Sequence, residues 1–324
     1  MKPPNPGMKK INPALIVVLL ALWPLASKSQ VYSGNDVGYV NVPLPKGLAF
    51  LCNPFNMDGT NNINTVITNT TAPSGTQVYL WNVTNQTFSL PATYEAGSGG
   101  WFNPDLATLA TNYLLSPGRG FVISSPSSWV VTIAGVVEQG TLTNFVAGTN
   151  KFSLLGNIPP VSGQLGSSAA QTISFPGIDG ADVFTFNTNS QSYSDAYTYF
   201  QNFGWFDPAH VVNSNGPSIS LALSFFVQNP GPDTNWIQTF VVPNTLNSPG
   251  FQPAVQKSVP KISQLAITGS QVSLRILNPG GAPYDIQFST DDSTWQTVAS
   301  NLTGATWAGT LPNLEMGYYR TVNH

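Results

Sequence analysis

Two histidines, one cysteine and 14 carboxylates are all that this 324-residue chain offers for acid–base, nucleophilic or metal chemistry. Cys52 lies inside the apolar run Leu48-Ala49-Phe50-Leu51-Cys52, and only His210 and His324 exist to activate it, so it reads as a small buried hydrophobe. The strongest catalytic arrangement is a glycosidase-like carboxylate pair, Asp105 or Glu95 from one half with Asp207 or Asp195 from the other. Against it stands Asn103, which occupies the place of Asp207 in an internal repeat, as Asn and Asp do where they interchange to form a turn. Asn56, Asp58 and Asn61 are spaced like a calcium loop, but they bring one carboxylate and no bidentate glutamate downstream, which leaves a plain loop. Pro117-Gly118-Arg119-Gly120 lacks the Gly-Lys-Ser/Thr of a phosphate loop. The sequence is therefore read as carrying no catalytic residues, no metal site and no cofactor.

Glycan binding has a better physical basis. Polysaccharide binders present aromatic rings beside short polar side chains, with few charges to desolvate. Trp101, Phe102 and Asn103 follow a glycine-rich turn, Trp205, Phe206 and Asp207 follow an aromatic one, and these six are the candidate ligand residues. Aromatic rings also dominate protein cores. Rings lying flat on the surface would favour glycan, and buried rings would favour a scaffold.

The elements that must position these residues come in duplicate. Gly100-Trp101-Phe102-Asn103-Pro104 returns as Gly204-Trp205-Phe206-Asp207-Pro208, 104 residues on; Asn53 returns as Asn157 and Phe121-Val122-Ile123 as Phe225-Phe226-Val227 at the same spacing. Val78-Tyr79-Leu80-Trp81-Asn82 returns one residue later as Val183-Phe184-Thr185-Phe186-Asn187. This periodicity marks one supersecondary unit duplicated in tandem. In the first copy, strands are expected at 37–42, 48–53, 121–123 and 129–137, with a helical turn near 63–68 and a short helix over 105–113. A hairpin is expected across Val83-Thr84-Asn85-Gln86, repeated across Thr188-Asn189-Ser190-Gln191. Where the first copy has Pro117-Gly118-Arg119-Gly120 the second has Ser220-Leu221-Ala222-Leu223-Ser224, so a loop changed while the scaffold was kept.

Composition supports an all-β reading. Only 8% of residues are charged and 11% are aromatic, and Gly, Pro, Asn, Ser and Thr punctuate short apolar runs. A single cysteine excludes an intramolecular disulfide framework. Lys9 and Lys10, the apolar run from Ala14 to Trp23 and the small residues Ala26, Ser27 and Ser29 make residues 1–30 a secretory signal. Its removal takes away Lys2, Lys9, Lys10 and Lys28 of the 11 basic residues, leaving seven against 14 acidic ones. That balance argues against nucleic acid as a partner, and no later run is long enough to span a membrane.

Beyond the repeats at 31–140 and 141–243 and a Pro-rich linker at 244–261, residues 262–324 alternate with period two. Val272-Ser273-Leu274-Arg275-Ile276, Tyr284-Asp285-Ile286-Gln287-Phe288 and Tyr318-Tyr319-Arg320-Thr321-Val322 read as strands of a small immunoglobulin- or fibronectin III-like sandwich. The run from Tyr284 to Trp295, with the terminal Tyr-Tyr-Arg, resembles the C-terminal fibronectin-like module of many bacterial secreted proteins. The Val37-to-Val42 opening, Asn53-Pro54, Trp81-Asn82 and the Pro117-to-Phe121 turn are similar to secreted tandem-repeat β proteins of environmental Gram-negative bacteria. That resemblance implies an extracellular address and β architecture, and no activity or catalytic residues. The expectation is thus all-β, with two tandem duplicated sandwich- or barrel-like repeats and a terminal sandwich, in a secreted or surface protein of structural or adhesive role without catalysis. Carbohydrate binding through loop aromatics is the alternative and a glycoside-active enzyme stands third. Extracellular polysaccharide, cell-surface components and self-assembly are the partner classes.

Overall fold

Apolar and aromatic residues at alternate positions decide which face each strand buries. The computed structural model describes residues 35–57, 60–67, 71–166, 173–213, 215–242, 260–278 and 281–323. The signal segment 1–30, Asp58 and the linker up to residue 259 lie outside the described residues. Among the described residues the regular elements are strands apart from one helical turn, so the fold is all-β as expected.

The first repeat runs β1 (Val37–Leu44), β2 (Gly47–Cys52), α1 (Ile63–Val66), β3 (Gln77–Asn82), β4 (Thr87–Phe88), β5 (Ala92–Glu95), β6 (Gly100–Phe102), β7 (Gly120–Ser125) and β8 (Trp129–Val136). The second runs β9 (Gly140–Val146), β10 (Lys151–Gly156), β11 (Gly163–Gln164), β12 (Asp182–Phe184), β13 (Phe186–Asn187), β14 (Ser192–Tyr193), β15 (Tyr197–Phe200), β16 (Gly204–Phe206), β17 (Ser218–Ile219), β18 (Ser224–Asn229) and β19 (Thr234–Phe240). Sheet order β2-β7-β3-β5-β6 in one is β10-β18-β12-β15-β16 in the other, and the β1–β8 ribbon corresponds to β9–β19. The repeat read from spacing is therefore a repeat of strand pairing.

Each five-strand path is apolar on both faces. Ala49, Leu51, Val78, Phe121 and Ile123 enter the core of the first repeat, while Phe50 and Val122 point the other way and meet Leu154 and Phe226 of the second. A sheet apolar on both sides must be covered on both sides. Here the second cover is the other repeat.

Backbone contacts across this seam are reciprocal. Cys52 N–H donates to Ala222 O at 2.8 Å, and Gly156 N–H, its counterpart 104 residues on, donates to Gly118 O at 2.9 Å. Gln86 closes the first hairpin turn; its side chain accepts from Phe152 N–H at 2.8 Å and donates to Phe152 O at 3.1 Å. Gln191 does the same in return, accepting from Leu48 N–H at 2.6 Å and donating to Leu48 O at 2.9 Å. Both glutamines are held in the left-handed region, and each turn begins with an Asn, 82 or 187, whose Oδ1 accepts two following N–H groups. The carboxamide supplies the donor and acceptor of a missing strand to the edge of β10 or β2. The two repeats thus pack as an isologous pair within one chain.

The C-terminal strands are β20 (Lys261–Thr268), β21 (Gln271–Leu277), β22 (Tyr284–Ser289), β23 (Gln296–Leu302), β24 (Thr306–Thr310) and β25 (Met316–Asn323). One layer is β20-β21-β24; the other is β23-β22-β25, and it continues through β1 into β8. The terminal module is not a sheet of its own: the first strand of the chain completes it. Val37, Tyr39 and Ala134 accordingly share a core with Ile262, Leu274, Ile286 and Tyr319. In the β1–β25 register Gly38 faces Tyr318 and Gly317 faces Tyr39, and a Cβ on either glycine would run into the facing ring.

The helix expected over 105–113 is absent. Asp105 accepts from the N–H groups of Ala107 and Thr108 at 3.0 Å and from the Thr108 hydroxyl at 2.9 Å, but Leu106 between them adopts φ 53°, in the left-handed region, so the chain turns instead of starting a helix. Leu109 then bridges back to Phe102.

Near the seam Cys52 has Gly156 as its repeat counterpart, and a Cβ on Gly156 would overlap the Cys52 side chain. Gly156→Ala is therefore expected to cost about 1–3 kcal/mol in urea unfolding. Adding Cys52→Gly should restore most of it; strictly additive costs would show that the two residues do not compete for one space.

Candidate functional site

Trp101 and Trp205 are 1% and 2% exposed, so neither ring can face a ligand on the surface. Trp101 packs against Tyr94 at 5.3 Å, and its backbone is clamped by Asn64 of α1, which accepts from Trp101 N–H at 2.9 Å and donates to Trp101 O at 3.2 Å. Trp205 packs against Tyr199 at 5.4 Å and Phe175 at 6.3 Å. Each ring belongs to the hydrophobic core of its own repeat.

The other four candidates divide between two loops. Phe102 and Asn103 end β6 and open the loop toward β7, and Phe206 and Asp207 end β16 and open the loop toward β17, each partly exposed. Asn103 Nδ2 donates to Thr108 Oγ1 at 2.9 Å and to Leu109 O at 3.2 Å. Asp207 Oδ1 accepts from Ala209 and Val211 N–H at 2.9 and 3.0 Å. Both residues close a loop, one as donor and the other as acceptor.

The carboxylates are similarly engaged. Hydrogen bonds from Ala107 and Thr108 hold Asp105 below the usual carboxylate range, so it stays ionised and cannot serve as a general acid at neutral pH. Glu95 accepts from the Ser74 hydroxyl at 3.2 Å. Burial pushes the Cys52 thiol up to about 12, which leaves it neutral and unreactive. Its Sγ lies 3.5 Å from Leu223 O and 3.7 Å from Asn157 O. Among the described residues no group of three or more His, Cys, Asp or Glu is placed to hold a metal.

A cleft that sequence reasoning did not single out opens along the seam between the repeats. Its volume is about 590 Å3, and Trp81, Phe88, Phe152, Phe184, Tyr193 and Phe226 line it, with Ser194 and Asp195 as the polar members. Phe226 is buried and forms the floor; Phe88 and Tyr193, 39% and 48% exposed, form the rim. Trp81 stands at the wall because its indole N–H donates to Phe152 O at 2.8 Å. Neighbouring rings meet steeply: Trp81 and Phe226 at 80°, Phe152 and Phe226 at 85°, Trp81 and Phe88 at 70°. The sequence signal was present, since Tyr79 and Trp81 alternate with Val78 and make β3 apolar on both faces.

A second electrostatic feature lies where the terminal module meets β1. Asp36, Asp292 and Arg320 are all buried, and Arg320 stacks 4.0 Å from the centre of Trp295 while donating through Nε to Gln287 Oε1 at 2.9 Å. Burial, then the charge of Asp36, raises Asp292 to about 8, against the opposing pull of Arg320; burial raises Asp36 to about 6. Asp291 is instead a turn former, accepting from Ser293 and Thr294 N–H at 2.9 and 2.7 Å.

No protein-family model matches the chain, and no curated protein matches it. Among solved structures, a β-1,2-glucanase from Parabacteroides distasonis is similar over 56% of this chain and 34% of its own, at 13% identity and a TM-score of 0.18. So slight a likeness assigns neither fold nor activity.

Because Asp292 and Asp36 have raised values in the folded chain, their contribution to stability is full below about pH 4 and is lost as pH rises toward 8. Asp292→Asn is expected to flatten the melting-temperature profile between pH 5 and pH 9, and to stabilise at pH 8 by roughly 1–3 kcal/mol. An unchanged profile would mean that Asp292 is solvated or fully compensated.

Proposed function

We propose that this is a secreted or cell-surface β protein of structural and adhesive role, with no catalytic activity. The observation that carries this reading is the chemistry of the two repeat tips. Leu106 and Leu109 in the loop after β6 match Val211 and Val212 in the loop after β16, where Phe200 and Phe203 of the neighbouring turn add to them, and all six are between 42% and 68% exposed. Matching apolar tips on a duplicated scaffold favour contact with a surface. The buried Trp101 and Trp205 agree with a scaffold, and the carboxylates argued for glycosidase chemistry serve as turn and loop acceptors in Asp105 and Asp207. Resemblance to secreted tandem-repeat β proteins supports the extracellular address.

Glycan binding remains the second reading. Phe206 supports it: the ring is partly exposed, meets Phe200 edge to face at 5.2 Å and 89°, and adjoins Asp207.

Labelled protein applied to bacterial cell envelopes and to insoluble polysaccharides should be retained on the envelopes without releasing reducing sugar. Phe203→Ser with Val211→Ser should lower retention several-fold at an unchanged melting temperature, and Asp207→Asn should leave retention intact. Sugar release that disappears in Asp207→Asn would overturn the reading in favour of an enzyme. Retention on polysaccharide alone would favour the glycan alternative.

A further inference from the structure

We propose that the seam cleft is a binding site for a quaternary ammonium group, the trimethylammonium of choline or a related small organic cation. Three observations carry it. First, six of the eight lining residues are aromatic: Trp81, Phe88, Phe152, Phe184 and Tyr193 line the cleft with buried Phe226 beneath them. Second, the lining rings meet their neighbours at 49–85°, none of them parallel, with centroids 5.0–6.2 Å apart. Rings so tilted turn faces and edges in several directions around the cleft, whereas a sugar ring needs one open flat face. Third, Asp195 is the single charged residue of the lining, exposed at the rim. An aromatic cage with one carboxylate is complementary to a bulky, weakly hydrated cation: the ring faces attract it through their quadrupoles, and the carboxylate balances its charge from the mouth.

Neutral and anionic ligands fit less well. A neutral apolar molecule gains nothing from Asp195, and an anion is repelled by it. A primary ammonium ion would have to give up hydrogen bonds to water that an aromatic wall cannot replace. The three methyl groups of a quaternary cation carry none.

The cage exists because the repeats differ. Trp81 and Phe88 of the first hairpin correspond to Phe186 and Tyr193 of the second, and Leu90 to Asp195. The equivalent cleft edge at Leu90 therefore lacks a charge, which makes the site single in a pseudo-symmetric body. It stands apart from the apolar tips and does not depend on the adhesive reading.

Calorimetric titration of the purified protein with tetramethylammonium chloride and with choline chloride tests the proposal, using sodium chloride at matched ionic strength as the control. Both cations should bind saturably. 3,3-Dimethylbutan-1-ol, the neutral isostere of choline, should bind about ten-fold more weakly. Asp195→Asn alters an exposed rim residue and should weaken choline several-fold at an unchanged melting temperature; Tyr193→Ala, which also removes ring contacts to Phe50, Phe186 and Phe226, should weaken it several-fold with a lowered melting temperature, and Tyr193→Phe should keep both. Phosphatidylcholine vesicles in co-sedimentation identify the source: retention points to a lipid headgroup, and choline binding without retention points to a free cation. The proposal is overturned if the neutral isostere binds as tightly as choline, if Asp195→Asn and Tyr193→Ala both keep full affinity, or if a cello-oligosaccharide binds and the cations do not.

Discussion

A strand at the edge of a sheet carries a row of unpaired N–H and C=O groups, and closing those edges is the constraint on which this structure depends. Three edges are closed by a different part of the chain. β1 pairs with β8 along its whole length on one side and with β25 on the other, so the N-terminal strand belongs to the first repeat and to the terminal module at once. β2 and β10 end their sheets, and each is met by a glutamine carboxamide from the other repeat. No unit completes its own hydrogen bonding, which explains why apolar cores also run across the unit boundaries. Leu142, Ile158, Phe240 and Tyr318 join the core of the first repeat for this reason.

Reciprocal packing near a two-fold axis has a second consequence. Two equivalent side chains cannot both occupy the space on the axis, so the repeats must differ there, and Cys52 faces Gly156. Away from the axis the constraint relaxes. Trp81 and Phe186, or Phe88 and Tyr193, keep aromatic character while changing shape, and Arg119 gives way to Leu223. The duplication thus supplies one rigid frame and two unequal faces, and the aromatic cleft lies on the seam between them. The terminal module adds a buried charge cluster in which two carboxyl groups share one guanidinium, an arrangement that favours acid over neutral pH.

Much of the architecture was legible in the sequence. The 104-residue spacing marked the repeat because core-facing residues at strand positions such as Phe121 and Phe225 cannot drift without loss of packing. Asn103 and Asp207 read as turn residues and are loop closers. What could not be read were contacts between units. Gln86 and Gln191 were visible at the ends of the two turns, yet a glutamine in a turn looks like any polar surface residue until its partner edge is known. The pairing of β1 with β25 had a signal in two Gly-Tyr dipeptides, Gly38-Tyr39 and Gly317-Tyr318, but strand pairing over almost 280 residues leaves no local periodicity. Trp101 and Trp205 were ambiguous because an aromatic beside a turn is as compatible with a core as with a platform. The helix expected over 105–113 failed locally: Asp105 caps the N–H groups of Ala107 and Thr108, but Leu106 sits in the left-handed region at φ 53°, where a right-handed helix cannot continue.

Hydrogen exchange at two amides tests reciprocal edge closure most directly. Leu48 and Phe152 lie on edge strands, and their N–H groups donate to Gln191 and Gln86 respectively. Both should be strongly protected in the native protein. In Gln86→Ala the protection of Phe152 should fall by about one to two orders of magnitude while that of Leu48 is kept, and in Gln191→Ala the pattern should be inverted. Fast exchange of both amides in the unmodified protein, or protection indifferent to both substitutions, would contradict the account.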